Sequence, residues 1–236
     1  MRILVIIPAY NEEKCIKSTV DELITTIAGS RYDIDYVVIN DCSTDETLNV
    51  LINERYNYIS GALNLGIGGA VQCGYKYALE KGYDIAIQLD GDGQHDPAYI
   101  DSIIEPIVKG KADISIGSRF IAHEGFQSSA MRRLGIRFLD ALIKLCTGYK
   151  PTDCTSGFRA VSGKYIKMYS DYYPVDYPEP EAMVMAALDG ALIKEVPVVM
   201  RERTTGRSSI RPIHSVYYMI KVSIAILLCR LGGHRK

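Results

Sequence analysis

Ile85-Ala86-Ile87-Gln88-Leu89-Asp90-Gly91-Asp92-Gly93-Gln94-His95 is a short, mostly apolar run that gives way at once to two carboxylates set two residues apart. A run of that length and character reads as a buried strand, and open α/β sheets bind ligands at the carboxyl ends of their strands. Asp90 and Asp92 are hard oxygen donors between small glycines, a set that suits Mn2+ or Mg2+ shared with a diphosphate. Such a metal would act as Lewis acid and template, neutralising the charge that develops on a leaving nucleoside diphosphate. Asp and Gly are also ordinary turn residues, so the pair alone is weak evidence. The next step, Asp96-Pro97, reads as an aspartate cap before a proline at the first helical position. His95 reads first as a hydrogen-bonded structural histidine.

Outward from this strand, apolar runs at Ile3–Ile7, Tyr36–Ile39 and Ile114–Ile116 alternate with helical patterns near 12–28, 45–54, 67–81 and 97–109. That rhythm predicts parallel βαβ units, a doubly wound sheet with helices on both faces, over the first 120 residues. After Phe120 come a polar stretch to Ser129, a helix near 130–146, a strand near 157–161, a helix near 164–170 and a Pro/Tyr loop from Asp171 to Pro180. The expected division is a domain over 1–211, with a donor half (1–120) and an acceptor half (121–211), then a helix and basic tail over 212–236.

Several strand ends carry polar turns. Pro8-Ala9-Tyr10-Asn11-Glu12-Glu13 supplies a ring and a carboxylate for a base and ribose, or simply a helix start with Asn11 as N-cap. In Asn40-Asp41-Cys42-Ser43-Thr44-Asp45, Asp41 can accept from a base N–H, while Ser43 and Thr44 suit helix capping. Asn64-Leu65-Gly66-Ile67-Gly68-Gly69-Ala70 is a poor dinucleotide fingerprint: it follows the third strand, and its spacing breaks at Cys73-Gly74. A nicotinamide dehydrogenase is thereby disfavoured, and close nucleotide approach or tight helix packing accounts for the glycines.

The 236 residues, 47% of them apolar, are enough for one α/β domain. Net charge is −1, but from Arg201 onward eight basic residues face the single acid Glu202, so the tail carries +7 and the first 200 residues −8. A basic end on an acidic body favours phosphate groups or lipid headgroups as partners and disfavours nucleic acid. The six cysteines form no CxxC pair and read as reduced thiols in a cytosolic protein. The run Ile3–Ile7 is cut by Pro8, too short for a signal peptide or a membrane span.

From Ile213 to Leu231, residues Ile213, Val216, Tyr217, Ile220, Ile224, Leu227, Leu228 and Leu231 draw one apolar helical face, interrupted by His214 and Lys221. With Arg230, Arg235 and Lys236 nearby it suits an interfacial helix on anionic lipid, and equally a face packed on the domain or on a second subunit.

Taken in order, PAYNEE, NDCSTD, NLGIGGA, DGDGQHD, GSRF, DCTSGFR and the late R-x-x-G-x-S pattern resemble the family 2 glycosyltransferases. The resemblance is greatest to the branch of dolichyl-phosphate mannose synthases and bacterial polyprenyl-phosphate glycosyltransferases, and it covers nearly the whole chain. It implies a glycosyltransferase A fold and inverting transfer from a nucleotide-diphosphate sugar. It also implies that Pro8, Tyr10, Glu12 and Asp41 hold the nucleoside, and that Asp90, Asp92 and Gln94 handle metal and diphosphate. Arg203 would reach the donor phosphates, and Arg119 with Arg132 or Arg133 would contact an acceptor phosphate. Three departures carry weight. Asn40 and Cys42 replace a common aspartate and glycine. Ser209 stands where mannose synthases carry a lysine, which shifts the phosphate clamp to Arg207 and turns the donor from GDP-mannose toward a UDP-sugar. The transmembrane helices of many relatives have no counterpart in the pattern.

An acceptor phosphate is ionised at neutral pH and needs no base, whereas a hydroxyl acceptor does. Asp153, Glu179 and Glu181 are the candidate bases, though Glu179 and Glu181 after prolines also suit a helix's first turn. Glu181 or Asp153 would serve a hydroxyl acceptor, and the resemblance, which places an acid near that point, puts Glu181 in the acceptor pocket. The expectation is transfer of a hexose to polyprenyl phosphate at the cytosolic membrane face, by a peripheral enzyme that could be a homo-oligomer. The alternatives are transfer to a hydroxyl of a growing cell-surface polysaccharide, or a nucleotide-sugar-binding protein without turnover.

Overall fold

The computed structural model describes residues 1–122, 130–202 and 212–232, excluding the side chains of 130–132 and 212–216. The elements run β1 (Arg2–Ala9), α1 (Ile16–Ala28), β2 (Asp33–Asn40), α2 (Thr47–Asn53), β3 (Tyr58–Ser60), α3 (Gly66–Lys81) and β4 (Ile85–Gln88). There follow a 3-10 turn (Pro97–Tyr99), α4 (Ile100–Val108), β5 (Ile114–Ser118), α5 (Ala130–Thr147), β6 (Arg159–Ser162), α6 (Gly163–Asp171), α7 (Pro178–Leu188), β7 (Ile193–Pro197) and α8 (Pro212–Arg230).

Among the described residues the strands form one sheet in the order β3-β2-β1-β4-β6-β5-β7. All neighbours are parallel except β6, which runs antiparallel to both β4 and β5. The expected doubly wound, mostly parallel sheet is present. β1 and β4 are adjacent, with β2 on the far side of β1, so the strand order reverses between β1 and β4 and opens a crevice beyond their carboxyl ends.

Seven of the eight residues of β1 are buried, as a strand covered on both faces requires. Its side chains alternate between two cores. Leu4 and Ile6 join α3, α5, α6, α7 and α8 on one face. Ile3, Val5 and Ile7 join α1 and α4 on the other. The glycines of α3 belong to this packing. A Cβ on Gly74 would stand 2.2 Å from Ile6 Cγ2, and one on Gly68 1.9 Å from the Pro174 carbonyl oxygen.

Three expectations are corrected. α1 starts at Ile16 after Cys15, and Asn11 is no N-cap: it adopts a left-handed backbone with φ 55°. α7 begins at Pro178, inside the expected Pro/Tyr loop. β7 was not anticipated, because its half-exposed Ile-Lys-Glu-Val-Pro lacks an apolar run.

α8 packs on the domain through Val222, Ile226 and Cys229. The stripe drawn from sequence is its other side: Tyr217, Ile220, Ile224 and Leu228 are each more than half exposed and Leu231 is 83% exposed. Among the described residues no helix is long and apolar enough to cross a membrane.

Candidate active site

The turns after β1 and β2 lock together through side-chain caps. Asn11 N donates to Ser43 Oγ at 3.0 Å, and Asn11 Oδ1 accepts from Thr44 N at 2.8 Å. Glu12 N donates to Thr47 Oγ1 at 2.9 Å, and Glu13 N to Asp45 Oδ2 at 3.1 Å. Ser43 and Thr44 thus serve the neighbouring turn instead of capping α2. Pro8 is buried at the end of β1, and Tyr10 just beyond it is 47% exposed. Asp41, 4% exposed, accepts from Leu65 N at 2.7 Å and so ties the end of β2 to the start of α3. The four residues expected to hold a nucleoside therefore line one rim of the sheet.

The acidic motif sits at the switch between β1 and β4: Leu89 N donates to Ile6 O at 2.9 Å and Gly91 N to Pro8 O at 3.3 Å. Asp90 is 32% exposed, and Asp92 is 4% exposed with Oδ1 accepting from Gln94 N at 3.0 Å. Asp96 caps the turn at Pro97, as expected, by accepting from Ala98 N at 2.9 Å. Gln94 O accepts from Arg201 N at 2.9 Å, and His95 pairs with Met200. Arg201 is clamped by both oxygens of Glu22, at 2.6 and 2.7 Å, and by Asp96 at 2.9 Å. The chain is thus pinned beside Gln94 two residues before Arg203. Arg203 itself, Arg207 and Ser209 lie outside the described residues, as does the side chain of Arg132; Arg133 lies in the first turns of α5.

At the end of β5, Arg119 is 7% exposed and forms a bidentate pair with Asp153: Nε to Oδ2 and Nη2 to Oδ1, each 2.7 Å. Nη2 also donates to Thr155 Oγ1 at 2.7 Å. Asp153 is fully buried, and its backbone N donates to Glu195 Oε1 at 2.9 Å. Both Asp153 oxygens face the guanidinium, so this carboxylate is placed to hold Arg119, and the geometry gives no support to Asp153 as a base.

The segment carrying Asp153 then crosses to the acidic motif. Gly157 lies against Asp90: a Cβ there would stand 3.3 Å from Asp90 Oδ2 and 2.8 Å from Gln88 Nε2. Arg159, 1% exposed in β6, donates from Nη1 to Glu179 O at 3.1 Å. Residues 153, 155, 157 and 159 thus reach Arg119, Asp90 and α7 in turn. Sequence reading named this motif without seeing that it bridges the two charged centres.

Glu179 and Glu181 part company because residues two apart on a helix point to nearly opposite sides. Glu181 turns to Tyr172, whose hydroxyl donates at 3.4 Å, and to Cys229 of α8. Burial pushes the Glu179 carboxyl above its usual range against the pull of Arg159; Asp90 adds to the rise and Arg119 opposes it. Glu179 therefore lies in the field of the acidic motif and Arg119.

The donor set fits a hard divalent cation: two carboxylates and an amide oxygen within five residues, with Asp90 32% exposed and backbone alone, at Gly157, packed on its inner side. Among the described residues no group of three or more His, Cys, Asp and Glu side chains gathers as a closed cage.

A family model described as Glycosyl transferase family 2 matches residues 4–169. An uncharacterized protein of Methanocaldococcus jannaschii is 34% identical over 202 residues, covering 83% of this chain and 80% of that protein. The UDP-N-acetylglucosamine–dolichyl-phosphate N-acetylglucosaminyltransferase of Methanococcus voltae is 31% identical, covering 98% of this chain and 96% of its own. Among solved structures, glucosyl-3-phosphoglycerate synthase of Mycobacterium tuberculosis, in complex with Mn2+, UDP and glucosyl-3-phosphoglycerate, superposes with TM-score 0.69 at 23% identity. That superposition covers 98% of this chain and 80% of the synthase and establishes the shared fold, the glycosyltransferase A fold.

Proposed function

This chain belongs to glycosyl transferase family 2, and on that premise we propose that it moves a hexose, N-acetylglucosamine included, from a UDP-sugar to polyprenyl phosphate. The transfer inverts the anomeric centre: an acceptor phosphate oxygen attacks the anomeric carbon as its bond to the diphosphate breaks and the nucleoside diphosphate leaves. Pro8, Tyr10, Glu12 and Asp41 hold the nucleoside. Asp90, Asp92 and Gln94 hold Mn2+ or Mg2+, which when bound supplies charge neutralisation on the leaving diphosphate. Arg203 serves the donor phosphates, and Arg119 with Arg132 or Arg133 serves the acceptor phosphate.

The observation that carries this reading is the bridge over residues 153–159, which presents a fixed cation, Arg119, alongside the acidic motif. A guanidinium locked by a buried carboxylate is preorganised for a phosphate, whose own charge makes a base unnecessary. The Methanococcus relative, named for transfer to dolichyl phosphate, supports the same acceptor class. The uncovered stripe of α8, with Arg230 exposed at its end, suits docking on the cytosolic face of a membrane, where such an acceptor resides.

A second reading, transfer to a glycan hydroxyl, draws on Glu179, whose raised proton affinity beside Asp90 and Arg119 suits a general base. Replacing Glu179 by Gln separates the two: transfer to lipid phosphate survives under the first reading, and transfer to a hydroxyl is lost under the second.

The donor side is tested by thermal shift with UDP-, GDP- and dTDP-sugars, each with and without Mn2+, on wild type and Asp92→Ala. Ligand at about a hundred times Kd adds about 2.7 kcal/mol, on the order of 5–10 °C for a chain of this size. A metal-dependent rise with UDP-sugars that disappears in the variant is expected. Absence of a rise with any nucleotide would overturn the reading.

A further inference from the structure

We infer that Gln88 and His95 are positioning residues for Asp90, fixing its carboxylate from the inner side so that its outer side meets the metal and diphosphate. The inference rests on the reading of Asp90 as a metal ligand.

Gln88 is anomalous where it stands. It is fully buried in β4, between Ile6 of β1 and Arg159 of β6, in a strand otherwise made of Ile85, Ala86 and Ile87. Burying an amide costs free energy unless its hydrogen bonds are made, and an aliphatic side chain would serve the core better. Gln88 Nε2 donates to Asp90 Oδ1 at 3.0 Å, while Oε1 has no hydrogen-bond partner among the described residues. One half of the amide is committed to Asp90 and the other half is sacrificed. Gly157 is the complement: any Cβ there would collide with the Gln88 amide nitrogen.

His95 completes the grip. Its ring is 4% exposed and lies flat on Phe158, centroids 4.9 Å apart and planes 11° from parallel. Nδ1 accepts from Asp90 N at 3.0 Å, so a neutral ring carries its proton on Nε2, which faces Asp90 Oδ2 at 3.7 Å. Asp90 is thereby held through its backbone N–H and Oδ1, with the His95 ring set against Oδ2 and about a third of the side chain left to solvent. Residues that orient a metal ligand commonly matter to metal affinity nearly as much as the ligand.

The test measures Mn2+ affinity by electron paramagnetic resonance of the free ion, in the presence of the nucleoside diphosphate that stabilises the wild type, with UDP as first choice. Gln88→Met removes the donor but keeps an unbranched apolar side chain. The expected result is a melting temperature without metal within about 3 °C of wild type and a Mn2+ Kd raised about tenfold or more. His95→Asn keeps an acceptor for Asp90 N and removes the group facing Oδ2, and it is read the same way should Gln88→Met fail to fold. A folded Gln88→Met or His95→Asn that binds Mn2+ within about twofold of wild type overturns the inference while leaving Asp90 as ligand. A wild type that binds no Mn2+ removes the reading of Asp90, and this inference with it.

Discussion

Arg119 and Asp153 meet as two parallel N–H···O bonds of 2.7 Å, with Asp153 wholly removed from solvent. Asp153 is itself fixed by Glu195 of β7, which accepts from the backbone N–H groups of Thr152 and Asp153. Removing one partner of such a pair strands a buried charge, at a cost of about 3–5 kcal/mol. Asp153→Ala should therefore unfold at markedly lower urea than wild type. Arg119→Met combined with Asp153→Leu should recover much of that loss, yet show no transfer, because the cation proposed to meet the acceptor phosphate is gone. Paired urea melts and transfer assays check this; a double variant that transfers sugar normally contradicts the role of Arg119.

Glu179 and Glu181 should respond differently to neutralisation. Glu181→Gln, facing Tyr172 and Cys229, is expected to leave transfer within about threefold of wild type and stability within about 0.5 kcal/mol. Glu179→Gln alters the field around Asp90 and Arg119 and should shift the pH profile of transfer while leaving transfer to lipid phosphate intact. Steady-state rates across pH 5 to 9 decide; an unshifted profile speaks against Glu179 near the reacting groups.

Gly68 tests whether the glycine-rich segment serves packing or nucleotide. Its Cβ would overlap the Pro174 and Val175 backbone, which cannot retreat as a flexible side chain could. Gly68→Ala should cost about 1–3 kcal/mol or more in chemical denaturation, while the folded fraction binds nucleotide as wild type does. Unchanged stability with lost nucleotide binding would reverse the assignment.

Asp140, on α5, titrates near 6, chiefly because it is buried, with Asp153 and Glu195 adding to the rise and Cys154 opposing it. Between the unfolded value near 4 and about 6 the native state binds more protons than the unfolded chain, so stability falls as pH rises through that window. Asp140→Asn keeps an acceptor for Cys154 N and removes the penalty. Discounting about 1.4 kcal/mol per pH unit for residual solvent contact, the variant should gain on the order of 1–2 kcal/mol at pH 8 and nothing at pH 4. Melting curves at the two pH values check both halves.

The strands with continuous apolar runs and the long periodic helices were legible in the sequence because burial on both sheet faces writes them directly. β7 was not, since an edge strand reading Ile-Lys-Glu-Val-Pro owes its place to pairing with β5. Asp90 and Asp92 stood out by type and position and Arg119 only through the family resemblance, but the partnership of Arg119 with Asp153 depends on β6 running antiparallel between β4 and β5, which no local pattern encodes. Glu179 and Glu181 could not be told apart without the start of α7. The apolar stripe of α8 was drawn correctly on its described residues, and only packing through Val222 and Ile226 reveals that it faces outward.

Mass spectrometry of the lipid extract tests the central claim most directly: purified protein, vesicles containing polyprenyl phosphate, a UDP-sugar and Mn2+, set beside Asp92→Ala. The account predicts polyprenyl phosphate heavier by one sugar residue with wild type and unchanged lipid with the variant. Consumption of the donor with the lipid phosphate unmodified, or a sugar joined to a hydroxyl acceptor instead, would contradict it.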